Sequence, residues 1–96
     1  MKEYLIRYLE IFNNDEDGYL VDSIKLTVDE KSVSGITVDD LKTLFILKKE
    51  DSDMYMAYEI QKRHIRFFEE KLKIKFNKKK YSYYIQARLV PVHLIE

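Results

Sequence analysis

The sequence predicts a single α+β domain in which a four-stranded antiparallel or mixed sheet carries two helices on one face. Three observations lead there. Several stretches alternate apolar and polar residues with a period of two, and two others repeat apolar residues at helical spacing. The whole spans 96 residues, 46% hydrophobic and 35% charged, with only two Gly and one Pro. That length supports one core, over residues 1–96, and is too short for two.

Residues 3–12, EYLIRYLEIF, are rich in aromatic and branched side chains and read as the first strand. Residues 19–27, YLVDSIKLT, set Leu20, Ile24 and Leu26 against Val21, Ser23 and Lys25, which makes a second strand. Between them, NNDEDG places Asn13, Asp15 and Asp17 at alternate positions before Gly18, as the first half of a calcium loop does. The second half decides against it. The twelfth position counted from Asn13 is Ile24, which has no oxygen to offer where such a loop needs a bidentate Glu. A hairpin loop is therefore expected, with calcium binding as the lesser alternative.

A polar connection, VDEKSVSG, leads to ITVDDLKTLFIL, where Thr37 precedes Asp40 by three residues as in a capping box. Val38, Leu41, Leu44 and Phe45 share one helical face and read as a core stripe. After the charged KKEDSD, the segment MYMAYEI alternates Met54, Met56, Tyr58 and Ile60 against Tyr55, Ala57 and Glu59, a third strand. Residues 61–73 then place Ile65, Phe68 and Leu72 on one side of a second amphipathic helix. FNKKK makes a basic turn, and YSYYIQARLV closes the sheet before Pro91, which cannot donate to a ladder. The expected order is β-β-α-β-α-β. If Ile85, Ala87 and Leu89 point inward, the wet face of the last strand carries Tyr84, Gln86 and Arg88.

Composition and motifs exclude most enzyme chemistry. Without cysteine there is no disulfide, thiolate nucleophile or Cys-ligated metal. His64 and His93 lack partners at metal-ligand spacing, and His64 is expected on the helix surface or partly buried. No serine lies in a nucleophile elbow, two glycines build no phosphate loop, and the adjacent Glu69 and Glu70 point about 100° apart on a helix. No catalytic residue, metal site or cofactor is expected. The N-terminal MKEYLIRYLEIF carries Glu3, Arg7 and Glu10 inside its apolar run, unlike an export signal or a spanning helix, so a cytoplasmic protein is expected.

Net charge is zero, yet residues 1–60 hold 14 Asp and Glu against 7 Lys and Arg, while residues 61–96 hold 3 against 10. One reading is mutual neutralisation in the folded domain; the other is an acidic surface that steers a basic partner into place. The candidate acids are Asp15, Glu16, Asp17, Asp29, Glu30, Asp39, Asp40, Glu50, Asp51 and Asp53. A rival reading rests on NKKKYSYYIQAR, whose lysines could meet phosphates while tyrosines stack on unpaired bases. The neutral total and the acidic first part make nucleic acid the lesser expectation. A small adaptor domain is the third class.

YLIRYLEIF, the acidic hairpin, ITVDDLKTLF, DMYMAYEI leading into a helix, and IKFNKKKYSYYIQA together give the chain a family resemblance. It resembles small bacterial domains encoded beside polymorphic toxins and, more broadly, immunity proteins of contact-dependent growth inhibition systems. Asp53, Met54, Tyr55, Tyr58 and Ile60 match one part of the pattern, and Tyr81, Tyr83 and Tyr84 the other. The resemblance covers residues 4–88 and departs at Lys78, Lys79 and Lys80, where such sequences tend to carry acid. It implies a non-enzymatic inhibitor that binds the C-terminal domain of one cognate toxin, often a nuclease, and the acids named above are the candidate contact surface. From the charge pattern and the broken apolar runs no membrane partner is expected and nucleic acid is the lesser expectation.

Overall fold

The two longest runs of branched and aromatic residues form the two longest strands, and these lie side by side. In the computed structural model, which describes residues 2–15 and 17–94, β1 (Glu3–Asn13) pairs antiparallel with β5 (Tyr81–Pro91) along its whole length, from Glu3 opposite Pro91 to Asn13 opposite Tyr81. On its other side β1 takes β2 (Leu20–Val28), which in turn takes β3 (Lys31–Ser32). The remaining elements are α1 (Val38–Leu44), β4 (Tyr58–Glu59) at the outer edge of β5, α2 (Lys62–Leu72) and a 3-10 turn at Val92–Leu94. The sheet order is β3-β2-β1-β5-β4, and every pairing is antiparallel.

The α+β class, the two helices and the hairpin at Asn13–Leu20 follow the sequence. The strand count does not. Five strands replace the expected four, so the chain runs β-β-β-α-β-α-β. The additional strand arises because Asp29 adopts φ 52 and folds Lys31–Ser32 back onto Val28 and Thr27. Two residues are too few to show an alternation. The third strand expected at 54–60 shrinks to Tyr58–Glu59. Met54 sits at φ 59, and the amides of Tyr55 and Met56 bond to the Asp51 side chain instead of joining a ladder.

One core joins the helices to one face of the sheet. Leu9, Leu26 and Ile85 of the sheet meet Leu41 of α1 and Phe68 of α2, with Ile36, Phe45, Met54, Tyr58, Ile60 and Tyr83 completing the cluster. The parity predicted for MYMAYEI survives the loss of its strand: Met54, Tyr58 and Ile60 are buried, while Tyr55 is exposed. Met56 breaks the pattern and stands 40% exposed. Leu26 and Thr27 are both fully buried because the register of β2 slips between Arg7 and Tyr8, a bulge that turns two successive side chains inward.

Capping fixes the helix ends. The Thr37 hydroxyl accepts from the Asp40 amide and the Asp40 carboxylate accepts from the Thr37 amide, both at 3.0 Å. This is the reciprocal box expected from the spacing. α2 uses histidine in the same position. Gln61 N–H donates to His64 Nδ1 at 3.0 Å, which leaves Nε2 to carry the proton and donate to the Leu44 carbonyl at 3.1 Å. His64 is 3% exposed and packs against Phe45, ring centroids 4.4 Å apart, so it is a joint between the two helices, more fully buried than the surface or partly buried position expected of it.

Phe45 touches the rings of His64, Tyr58 and Phe68, at 4.4, 6.0 and 6.3 Å between centroids. Phe45→Ala is expected to destabilise the domain by about 3–5 kcal/mol in urea denaturation. A loss below about 1 kcal/mol would place the ring outside the core.

Burial, aided by the nearby Arg63 charge and opposed by the Leu44 carbonyl, holds the His64 pKa below its ordinary 6.5. As pH falls, the unfolded chain therefore takes up this proton before the folded one does, so stability is complete above 6.5 and is lost as pH descends through the folded value. Urea midpoints should fall between pH about 7.5 and 5.5, and His64→Gln should flatten that slope. An unchanged slope in the variant would remove His64 as its source.

Candidate functional site: an aromatic groove on the open sheet face

The face of the sheet turned away from the helices follows from strand parity. On β1 it carries Tyr4, Ile6, Tyr8, Glu10 and Phe12, and on β5, in register opposite them, Val90, Arg88, Gln86, Tyr84 and Ser82. Tyr84, Gln86 and Arg88 thus share the outward face as the alternation predicted. Leu89 shares the inward parity of Ile85, yet it is 61% exposed, because the core cluster ends at Ile85 along β5.

Two features shape this face. The first is an ion pair over a buried acid. Glu10 is 2% exposed, and Arg88 Nη2 donates to both its oxygens at 2.7 and 2.6 Å. The second is an open groove of about 410 Å³ lined by Phe12, Asn13, Gly18, Ala57, Ser82, Tyr84 and Gln86. Phe12 and Tyr84 meet edge to face, 5.7 Å between centroids at 81°, and make its aromatic wall. Gly18 adopts φ 55, a left-handed conformation that lets the hairpin loop bend over the groove.

The hairpin loop is tied to the start of β5. Asn14 N–H donates to the Lys80 carbonyl at 3.0 Å and its side-chain amide to the Lys78 carbonyl at 3.1 Å, while Ser82 Oγ donates to Asn14 Oδ1. The acidic loop and the lysine turn are therefore neighbours. Asp15 and Asp17 are exposed on this loop, and Glu16 lies outside the described residues.

The remaining candidate acids are not gathered around the groove. Asp29 and Glu30 occupy the β2–β3 turn at the opposite end of the sheet, where Asp29 Oδ1 accepts from Leu5 N–H at 2.9 Å. That end lies about 25 Å along β1 from the hairpin loop, taking the strand rise per residue. Asp40 is engaged in the α1 cap, Asp39 and Glu50 are exposed, and Asp53 faces Lys42 at 3.8 Å.

Asp51 is a different kind of residue. It is 3% exposed and accepts from Tyr55 N–H, Met56 N–H and Tyr58 O–H at 2.7, 2.9 and 2.7 Å, so it organises its own loop and offers nothing to a partner. Burial alone would raise its pKa. The bonds from Tyr58, Met56 and Tyr55, with the charge of Lys48, outweigh burial and hold it below the ordinary carboxylate value. Burial and the facing Asp51 carboxylate together push the Tyr58 phenol up.

Arg7 anchors the other end of the same loop. Its side chain is 1% exposed, donating Nη2 to the Asp53 carbonyl at 2.6 Å and Nη1 to the Asp29 carbonyl at 3.3 Å. Arg7 Nε and Thr27 Oγ1 are buried without a partner among the described residues.

The lysine and tyrosine run does not form a stacking ladder. Tyr83 is buried beneath the sheet, its ring stacked on Phe76 at 4.1 Å, and Tyr84 alone of the run's tyrosines reaches the open face. Phe12 and Tyr8, which complete the aromatic surface, come from β1. Their signal in the sequence is parity: Tyr4, Tyr8 and Phe12 occupy even positions, opposite in sense to the core residue Leu9. Among the described residues no group of three or more His, Asp or Glu side chains converges as a metal site would, and no helix is long and apolar enough to cross a membrane.

Residues 6–86 match the model of a family described as a domain of unknown function, DUF7683. The chain belongs to this family. The matched stretch contains all the groove residues and stops just short of Arg88. No curated protein and no solved structure matches the chain.

Replacing Asp51 by Ala removes three hydrogen bonds made to a charged group and leaves the part-buried amides of Tyr55 and Met56 without their acceptor. A cost of about 3–5 kcal/mol is expected in urea denaturation. A cost below about 1 kcal/mol would show that the 51–58 loop holds its shape without the carboxylate.

Proposed function

We propose that the chain is a non-enzymatic immunity protein that binds the C-terminal toxic domain of one cognate partner, a nuclease, and blocks it in the cytoplasm. The observation that carries this reading is the groove. Half-buried aromatic rings, Phe12 and Tyr84, form its wall, polar groups from Asn13, Ser82 and Gln86 stand among them, and the hairpin loop with Asp15 and Asp17 borders it. Aromatic anchors inside a polar rim are the anatomy of a protein-binding surface. The resemblance to toxin-neighbouring domains supplies the partner class, and acid beside the groove suits a nuclease that attracts phosphate with Lys and Arg.

On this reading the contact acids narrow to the hairpin loop. Asp29 and Glu30 lie at the other end of the sheet, Asp40 and Asp53 are engaged in the α1 cap and with Lys42, Asp39 and Glu50 are exposed on α1 and the loop after it, and Asp51 is buried.

The test is co-expression of the tagged protein with the product of the neighbouring upstream gene, followed by salt washes. A one-to-one complex whose partner is toxic only when expressed alone supports the proposal, and an absent complex with a harmless neighbour overturns it. Within such a complex, Tyr84→Ala should weaken binding by about 2 kcal/mol or more, as an aromatic anchor does. Joint replacement of Asp15, Glu16 and Asp17 by Ala should leave the melting temperature nearly unchanged, because exposed charges add little to folding, and should slow association. Unchanged association at low salt would place the loop outside the interface.

A further inference from the structure

A group of unpaired cations lies on the helix side, away from the groove. α2 buries Phe68 in the core and His64 against the end of α1, which leaves its outer face to solvent. Lys62, Arg63, Lys73 and Lys75 are exposed there, Lys71 lying half a turn away over Phe67, and among the described residues none of the four has a carboxylate within salt-bridge distance. The acids of the same stretch are engaged. Glu70 pairs with Arg66 at 3.1 Å, and Glu69 Oε2 accepts from Phe76 N–H at 2.8 Å.

These cations form one surface because the chain after α2 returns alongside it. Lys73 ends the helix at φ 58, the Phe76 amide is held by Glu69 midway, and Lys78 Nζ reaches the Ile60 carbonyl at 2.9 Å, at the start of the helix. The returning segment thus lies against the helix from end to end. The acidic surplus of residues 1–60 is spread over strands, turns and α1, so a zero net charge still leaves a local excess of cations along α2.

The geometry points to the outer face of α2 and its returning segment as a docking surface for the phosphodiester backbone of nucleic acid. An eleven-residue helix is about 16 Å long. That length meets a few successive phosphates and no base edges, so recognition is through charge and independent of sequence. It meets the lysine and tyrosine run only at Lys78, uses none of its tyrosines and is separate from the groove, and it stands or falls without the neutralisation reading.

The experiment uses the protein alone with a short fluorescein-labelled RNA duplex, followed by anisotropy from about 50 to 200 mM salt. Binding is expected at low salt, with a log–log slope of about −3 to −4.5 for three to five phosphates engaged. The joint variant Lys62→Glu, Arg63→Glu and Lys75→Glu should bind at least about tenfold more weakly, with a shallower slope. Acid in the first turn suits a helix N-terminus, so this variant keeps its fold, checked by its melting curve. A charge-matched control, Lys25→Glu, Lys31→Glu and Lys49→Glu, should bind nearly as the parent does. No binding at low salt overturns the proposal, as does equal weakening in both variants. Polyglutamate of matched charge binding as tightly as the duplex would overturn it in favour of an acidic protein partner.

Discussion

The pairing of β1 with β5 is the constraint from which the rest follows. It runs through eleven consecutive residue pairs without a register shift, whereas β1 against β2 slips twice. Side chains on such a ladder alternate strictly, so one register fixes two surfaces at once. Leu9, Ile11, Tyr83 and Ile85 go to the helices; Tyr8, Phe12, Tyr84 and Gln86 go to the open face. A shift of one residue would exchange them, removing the core and the groove together.

Polar groups in the interior hold what the sheet does not. Between α1 and β4 the chain has no helix or strand, and a few backbone turn bonds there are supplemented by side chains. Asp51 does this from within the loop, and Arg7 does it from β1, reaching carbonyls on two separate turns. Both are ionised groups deep in the protein, where the surrounding donors or acceptors offset the loss of water. The loop is consequently specific in shape although almost nothing in it is regular.

The legible part of the molecule is the part governed by short-range periodicity. Thr37 with Asp40, the apolar stripe of α2, and the outward set Tyr84, Gln86 and Arg88 all express a period that a single strand or helix imposes. Three features fall outside any such period. β3 is only two residues long and exists because Asp29 turns left-handed. Asp51 looks like its neighbours Glu50 and Asp53 in a charged loop, and only the fold shows that it alone is enclosed. The groove takes Phe12 from one end of the chain and Tyr84 from the other, so no local window contains it.

That same arrangement has a kinetic side. Strand neighbours so far apart in sequence must close a loop of nearly the full chain before any pairing energy returns, and such topologies fold slowly for their size. During synthesis the hairpin of β1 and β2 can form early, but it exposes a bare edge until Tyr81 and the residues after it have left the ribosome. The last strand made is the one that closes the centre of the sheet. Folding of this domain is therefore expected to be a single late event rather than a gradual one.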